Sequence, residues 1–262
     1  MRAKKTLRDK RVAFELPSPE EIRERLPGVL QVLYLIFNEG YAASSGPQWM
    51  RPSLCEEALR LARVLAGVLA DLAEVQGFLA LLELQTARIP ARTTGDGDPV
   101  PILDQDRRLW DRLLTGRGLE AMHRAERLAA GGSPVGPYML QAGIAACHAR
   151  PRRPQDTDWT TILGLYGVLR TVCLNPVVEL NRTVAVAMVN GPQAALAELD
   201  TLSGDPRLRA YCYLPAVRAH VLEQAGAHAA GRSWLLAAKL TRNERERQLY
   251  TRHAQERSRP CQ

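Results

Sequence analysis

The 262-residue chain can bury a sizeable core, because apolar residues make up 46% of it and charged residues only 24%. Its five cysteines are widely spaced without a Cys-x-x-Cys pair, which argues against a zinc site or disulfide framework and favours a reduced, cytoplasmic protein. The longest apolar run is too short to span a bilayer, so we expect no membrane association.

The N-terminal residues 1–17 are predicted to be a basic linker. The net charge of the whole chain is +7, and part of that charge is concentrated here. These basic side chains can form a solvated terminus, or they can contact DNA phosphates. Since no recognition helix accompanies them, sequence-specific reading of DNA is not predicted. The candidate phosphate contacts are Lys4, Lys5, Arg8, Lys10 and Arg11.

Helices are expected to begin at Ser18, where Ser18 and Glu21 have the spacing of a capping box. A second helix is predicted from Pro27, and it runs through residues 29–37, which are apolar around nearly the whole circumference. Such a helix is buried on several sides, so we expect it to be the central element of the fold. Gly40 is expected to end it in the left-handed conformation.

A polar elbow follows this helix and contains Asn38, Glu39 and Tyr41. These side chains can satisfy free backbone groups at the helix end, or they can contact a partner protein. A lone carboxylate without a second acid, a base or a metal makes a poor active site. We therefore expect no enzymatic activity, while a hydrolase that uses Glu39 and a histidine stays open as an alternative.

The middle of the chain reads as consecutive amphipathic helices interrupted by one clear loop at 91–103. Pairs of antiparallel helices joined by tight turns are the unit of helical repeats. In the helix predicted at 137–150, Cys147 is expected to be buried and its neighbour His148 exposed, because adjacent residues of a helix point in different directions.

The last third shows an internal repeat with an offset of 35 residues. It superimposes Gly191 on Gly226 and Leu199 on Trp234, close to the ~34-residue tetratricopeptide period. Asn181 and Arg182 lie inside the apolar helix of the first copy. They can bond to a neighbouring repeat or line a peptide groove. A charged final helix, 242–257, is expected to close the array.

Several segments of the chain resemble the C-terminal extension of a group of bacterial extracytoplasmic-function (sigma-24-type) RNA polymerase sigma factors. In that group a tetratricopeptide-like helical domain follows the two sigma regions, and the resemblance extends over nearly the whole chain. The matching segments are YLIFNEGYAASSG (34–46), DQDRRLWDRLL (104–114), GPYMLQAGIAACHAR (136–150), TDWTTILGLYGVL (157–169) and PVVELNRTVAVAMVNGP (176–192).

The resemblance implies an all-α fold in which antiparallel helix pairs stack as a tetratricopeptide-like, right-handed superhelix over residues 18–262. It also implies a regulatory protein-interaction domain that modulates transcription initiation and contacts RNA polymerase core or the sigma regions of the parent chain. Sigma regions 2 and 4 are not found in this sequence, which is expected to be the isolated extension, so DNA would be bound only through those absent regions. We expect no cofactor and no metal. The alternative is a free-standing peptide-binding scaffold unrelated to transcription.

Overall fold

The computed structural model describes residues 17–227 and 229–258, and these residues form α-helices and short 3₁₀ helices without any β-strand. The predicted all-α class is confirmed. Residues 1–16 lie outside the described part, so the five candidate phosphate contacts stay a prediction. The helices are α1 Pro19–Tyr41, α2 Pro52–Val68, α3 Ala73–Thr86, α4 Arg112–Ala130, α5 Pro137–Ala149, α6 Trp159–Val172, α7 Pro176–Asn190, α8 Pro192–Leu202, α9 Tyr213–Gln224, α10 Ala230–Leu240 and α11 Glu244–Ser258.

The start of α1 is the predicted capping box. The Glu21 backbone N–H donates to Ser18 Oγ at 3.2 Å, and the Ser18 N–H donates to Glu21 Oε2 at 2.8 Å. The prediction of a separate helix from Pro27 is wrong, because α1 passes through Pro27 without interruption. Leu30, Leu33 and Phe37 are buried beyond it, and their packing outweighs the hydrogen bond that proline removes.

The prediction that α1 is the central helix is also wrong. Its residues Val29, Val32 and Leu35 are 43%, 57% and 59% exposed, so only one side of α1 is buried. The central element is α3, in which twelve of fourteen residues are buried and which packs against α2, α4 and α5. None of the helices within the described ranges has the length and apolarity needed to cross a membrane.

Gly40 has a different role from the predicted left-handed helix end. The helix continues to Tyr41, and the following Ala42 is extended with φ −148°. A Cβ atom at Gly40 would lie 2.8 Å from the Cys55 backbone nitrogen. The glycine is therefore required because α1 and α2 approach each other closely, and not because of its backbone dihedral angles.

The predicted correspondence within the last third has a structural counterpart. Gly191 and Gly226 both have positive φ, 90° and 69°, which favours glycine. Gly191 separates α7 from α8, and Gly226 follows the end of α9. Leu199 and Trp234, which the offset superimposes, are both buried. The two copies thus share a turn residue and a core position.

Candidate functional site

Tyr41 of the elbow is held by contacts within the chain. Its hydroxyl donates to Gln85 Oε1 at 2.7 Å, and its ring stacks on Phe37 with centroids 5.5 Å apart. The Arg92 guanidinium lies 3.3 Å from the centroid of the Tyr41 ring and 4.3 Å from that of Trp49, and it donates to the Tyr41 carbonyl. Arg92 is only 6% exposed. Burial lowers its pKa to about 10, so the guanidinium stays charged at neutral pH and is stabilised by the rings.

Glu39 satisfies groups around the helix end, as the first of the two interpretations expects. Glu39 forms an ion pair with Arg51 at 3.1 Å and accepts a hydrogen bond from the Ser44 backbone N–H at 3.2 Å. Asn38 is half-buried, and its side chain lies close to the Tyr34 hydroxyl. Glu39 thus fixes the loop after α1 and contacts no histidine of the described ranges.

Asn243 joins this loop to the opposite end of the chain. It is 1% exposed, and its Nδ2 donates to the carbonyls of Ala43 at 3.2 Å and Gln48 at 2.9 Å. Its Oδ1 accepts from the backbone N–H groups of Arg245 and Glu246 and so caps α11. One side chain therefore both starts the last helix and binds the loop after the first.

Glu246 completes this junction, which we call the clasp and define as residues 43–49 together with 241–246. Its carboxylate is 5% exposed. It accepts hydrogen bonds from Trp49 Nε1 at 3.2 Å, Tyr213 Oη at 2.5 Å and Thr241 Oγ1 at 2.6 Å. Sequence reasoning missed the clasp, because its two halves are about 200 residues apart and neither has a motif.

Tyrosines from several elements lie near Tyr34. We define the tyrosine tract as Tyr34, Tyr138, Tyr166 and Tyr211, all half-buried. The rings of Tyr34 and Tyr138 meet edge to face at 5.2 Å, and the Tyr34 hydroxyl donates to Gln141 Oε1 at 2.9 Å. The tract therefore combines apolar ring faces with hydroxyl groups that can donate or accept hydrogen bonds.

The tract is uncharged at neutral pH. Burial raises the pKa of Tyr138 and of Tyr211 to about 12; Tyr34 adds to the shift of Tyr138, and Cys212, Glu246 and then Tyr34 add to that of Tyr211. Burial and the same Tyr34 also raise the pKa of Tyr166. Tyr34 of α1 thus contributes to the raised pKa of each of the other three tyrosines, which come from α5, α6 and the segment before α9. Only the folded chain brings them together.

The two residues of the second candidate pair, Asn181 and Arg182, differ in their contacts. Arg182 forms an ion pair with Glu198 at 2.7 Å, which connects α7 to α8. Asn181 is exposed and has no hydrogen bond to the described part of the chain. The arginine is thus committed to helix packing, while the asparagine remains accessible to a partner.

The end of α5 is capped by Arg107, whose Nη1 donates to the carbonyls of His148 at 2.8 Å and Pro151 at 2.6 Å.

The expectation that His148 is exposed is wrong, since its side chain meets the Trp159 ring at 5.2 Å and is 9% exposed. Both faces of α5 are covered, by α3 and by α6. Cys147 is buried as predicted.

The buried His148 makes stability depend on pH. Burial, followed by the charges of Arg88 and Arg107, lowers its pKa from 6.5 to about 4. Above pH 6.5 the imidazole is neutral in both states, whereas between pH 6.5 and 4 only the unfolded state gains the proton. We expect this residue alone to remove about 2–3 kcal/mol of stability by pH 4.

Chemical denaturation of the wild type and His148→Phe across pH 7 to 4 measures this effect. Phenylalanine keeps the contact with Trp159 but has no titrating group, so the wild type should lose more stability than the variant as pH falls. Other groups titrate in both proteins and cancel in the difference. Parallel stability curves would show that His148 is protonated as easily in the folded state as in the unfolded state.

Comparison with known proteins adds relatives without described activities. Residues 25–126, which include the elbow and the loop that carries Arg92 and Arg107, match a family of unknown function (DUF6596). Over 225 residues the chain is 42% identical to an uncharacterized protein of Rhizobium meliloti (strain 1021), and the match takes in 86% of this chain and 52% of that protein. The chain thus spans about half the length of the curated relative that it matches. No solved structure matches the chain.

Proposed function

We propose that this chain is a regulatory protein-interaction domain of an alternative RNA polymerase sigma factor and that it modulates transcription initiation. In this proposal its helices stack as antiparallel pairs in a tetratricopeptide-like, right-handed superhelix. The partners would be RNA polymerase core or the sigma regions of the parent chain, in the cytoplasm. DNA would be bound by those sigma regions and not by this domain.

One observation carries the proposal. The segments that resemble the sigma-factor extension, 34–46, 136–150 and 157–169, contribute Tyr34 and Tyr41, Tyr138, and Tyr166. Three of the four tyrosines of the tract, together with the elbow, therefore belong to the residues on which the resemblance rests. This overlap supports the tract as the contact surface of the proposed domain.

The chemistry of the tract suits a protein segment as its ligand. Tyrosine buries a large apolar area at low cost in side-chain entropy and adds one hydrogen bond per residue, which is why it is enriched in protein interfaces. All four residues are half-buried, so part of each remains accessible to a ligand. Since the tract is neutral, binding there would depend on apolar contact and hydrogen bonds and only weakly on salt.

The test is co-purification of the chain with RNA polymerase core and, separately, with the sigma regions of a related full-length factor, at low and at high salt. We expect association with one of them that survives high salt. Tyr166→Ala should weaken it at least tenfold. Val68→Ala is the control, because Val68 is an apolar side chain that is 72% exposed on α2.

The folded state of both variants is checked by circular dichroism and by thermal unfolding before binding is compared. Absence of association with either partner at both salt concentrations would count against the role in transcription. If the chain instead captures unrelated peptides through Tyr166, the peptide-binding scaffold would replace the sigma-factor proposal. Equal binding by Tyr166→Ala and the wild type would exclude the tract as the contact surface.

A further inference from the structure

Three arginines lie close together where α1, α3 and α5 end. Arg88 and Arg107 are half-buried and Arg92 is buried, and the charge of Arg88 lowers the pKa values of both others, after the effect of burial. None of the three forms an ion pair with a carboxylate of the described ranges. Three partly desolvated cations thus lie near one another without an ion-paired carboxylate of the described ranges, although the nearby Asp156 raises the pKa of Arg107.

Helix capping accounts for two of these arginines but not for the third. Arg92 donates to the Tyr41 carbonyl at the end of α1, and Arg107 donates to carbonyls at the end of α5, where a positive charge is favoured by the helix dipole. Arg88 binds only neutral amide oxygens, Gln105 Oε1 at 3.2 Å and Gln85 Oε1 at 2.9 Å. Apart from the Trp110 ring, the charge of Arg88 has no partner among the described residues.

Unused hydrogen-bond donors occur at the same place. The Trp110 ring lies 5.5 Å from the Arg88 guanidinium carbon and 5.1 Å from that of Arg107. Trp110 Nε1, Arg107 Nε and His148 Nδ1 are buried and have no partner within the described part of the chain. Buried polar groups are almost always hydrogen-bonded, so the unpartnered N–H groups of Trp110 and Arg107, close to Arg88, indicate that an acceptor binds here.

We propose that the edge formed by Arg88, Arg107 and Trp110 binds an oxyanion of the phosphate class, either free or as the phosphoryl group of a larger molecule. A phosphate carries about two negative charges at neutral pH and several acceptor oxygens, which matches two guanidinium groups and an indole N–H. Guanidinium groups bind phosphate through paired hydrogen bonds. Gln85, which accepts a hydrogen bond from Arg88, also accepts one from the hydroxyl of the elbow residue Tyr41, and the site does not depend on the proposed function.

The experiment is a titration of the full chain with sodium phosphate against sodium chloride at equal ionic strength, followed by thermal unfolding. Phosphate should raise the melting temperature in a saturable way, because a ligand of the native state stabilises it, and chloride should not. The imidazole resonance of His148, assigned with His148→Phe, should titrate at higher pH when phosphate is bound. Glycerol phosphate in a parallel titration distinguishes a site that accepts phosphate esters from one that accepts only the free ion.

Arg88→Gln is the decisive variant, because Arg88 binds only side-chain amides and its loss leaves both helix caps in place. We expect at least a tenfold weaker response to phosphate. Arg152→Gln is the matched control, since Arg152 is exposed and forms no ion pair with described residues, and it should respond like the wild type. Equal phosphate responses of Arg88→Gln and the wild type, or equal effects of phosphate and chloride, would overturn the proposal.

Discussion

Replacing Gly77 by alanine is expected to lower the free energy of unfolding by about 3 kcal/mol, the upper end of the usual range for overpacking. A Cβ atom at Gly77 would lie 2.5 Å from the Met139 Cα and 2.6 Å from its Cβ. The nearest atom belongs to the backbone of α5, so no rotation of a side chain can make room. The added methyl group must push α5 away from α3, the helix around which the core is built.

The control is Gly164→Ala in α6, where an added Cβ has no neighbour within 4 Å. Alanine is favoured over glycine inside a helix by up to about 1 kcal/mol, so this variant should be slightly more stable than the wild type. Denaturant unfolding of the three proteins measures both changes. A small effect of Gly77→Ala, comparable to that of Gly164→Ala, would mean that α3 and α5 are further apart than described.

The features that follow from local rules could be predicted from the sequence. The Ser18 capping box needs only two residues three positions apart, and both of its hydrogen bonds are present. The glycines of the repeat, Gly191 and Gly226, could be found because a chain that reverses between helices needs a residue that tolerates positive φ. The all-α class could be predicted from the helical spacing of the apolar residues and from the predominance of alanine and leucine.

The features that depend on neighbours could not be predicted in this way. The apolar circumference of α1 does not reveal that Val32 and Leu35 are left exposed by the described helices, while α3, which carries the buried polar Gln76 and Glu83, is the enclosed helix. The burial of His148 likewise depends on α6 covering the second face of α5. The pattern along one helix indicates its preference for burial, and the packing of the other helices decides whether that preference is met.

The helix end was predicted about one turn too early, because Asn38 to Tyr41 form the last turn of α1, and the contacts of these residues depend on distant parts of the chain. Tyr41 is placed by Gln85 and Arg92, and the loop that follows is held by Asn243. None of these partners lies within 40 residues of Tyr41, and each is an ordinary polar residue in the sequence. A single sequence shows that an elbow exists, but only the assembled helices show what holds it.

Asn243→Ala is expected to cost about 3 kcal/mol, because it combines two losses. The backbone N–H groups at the start of α11 lose their cap, worth about 1 kcal/mol. The carbonyls of Ala43 and Gln48 lose their donor in a place with little access to water, at about 1–3 kcal/mol for an unsatisfied buried group. Denaturant unfolding measures the sum, and hydrogen exchange shows where the chain opens.

Asn175→Ala separates the two losses. Asn175 caps α7 by accepting from the Val177 N–H at 2.9 Å, but it is exposed and binds no distant loop, so its removal should cost only about 1 kcal/mol. In Asn243→Ala, amides of residues 43–49 and of α11 should exchange faster together, although they are far apart in sequence. If the two variants lose equal stability, or if exchange rises in α11 alone, the clasp does not couple the first helix to the last.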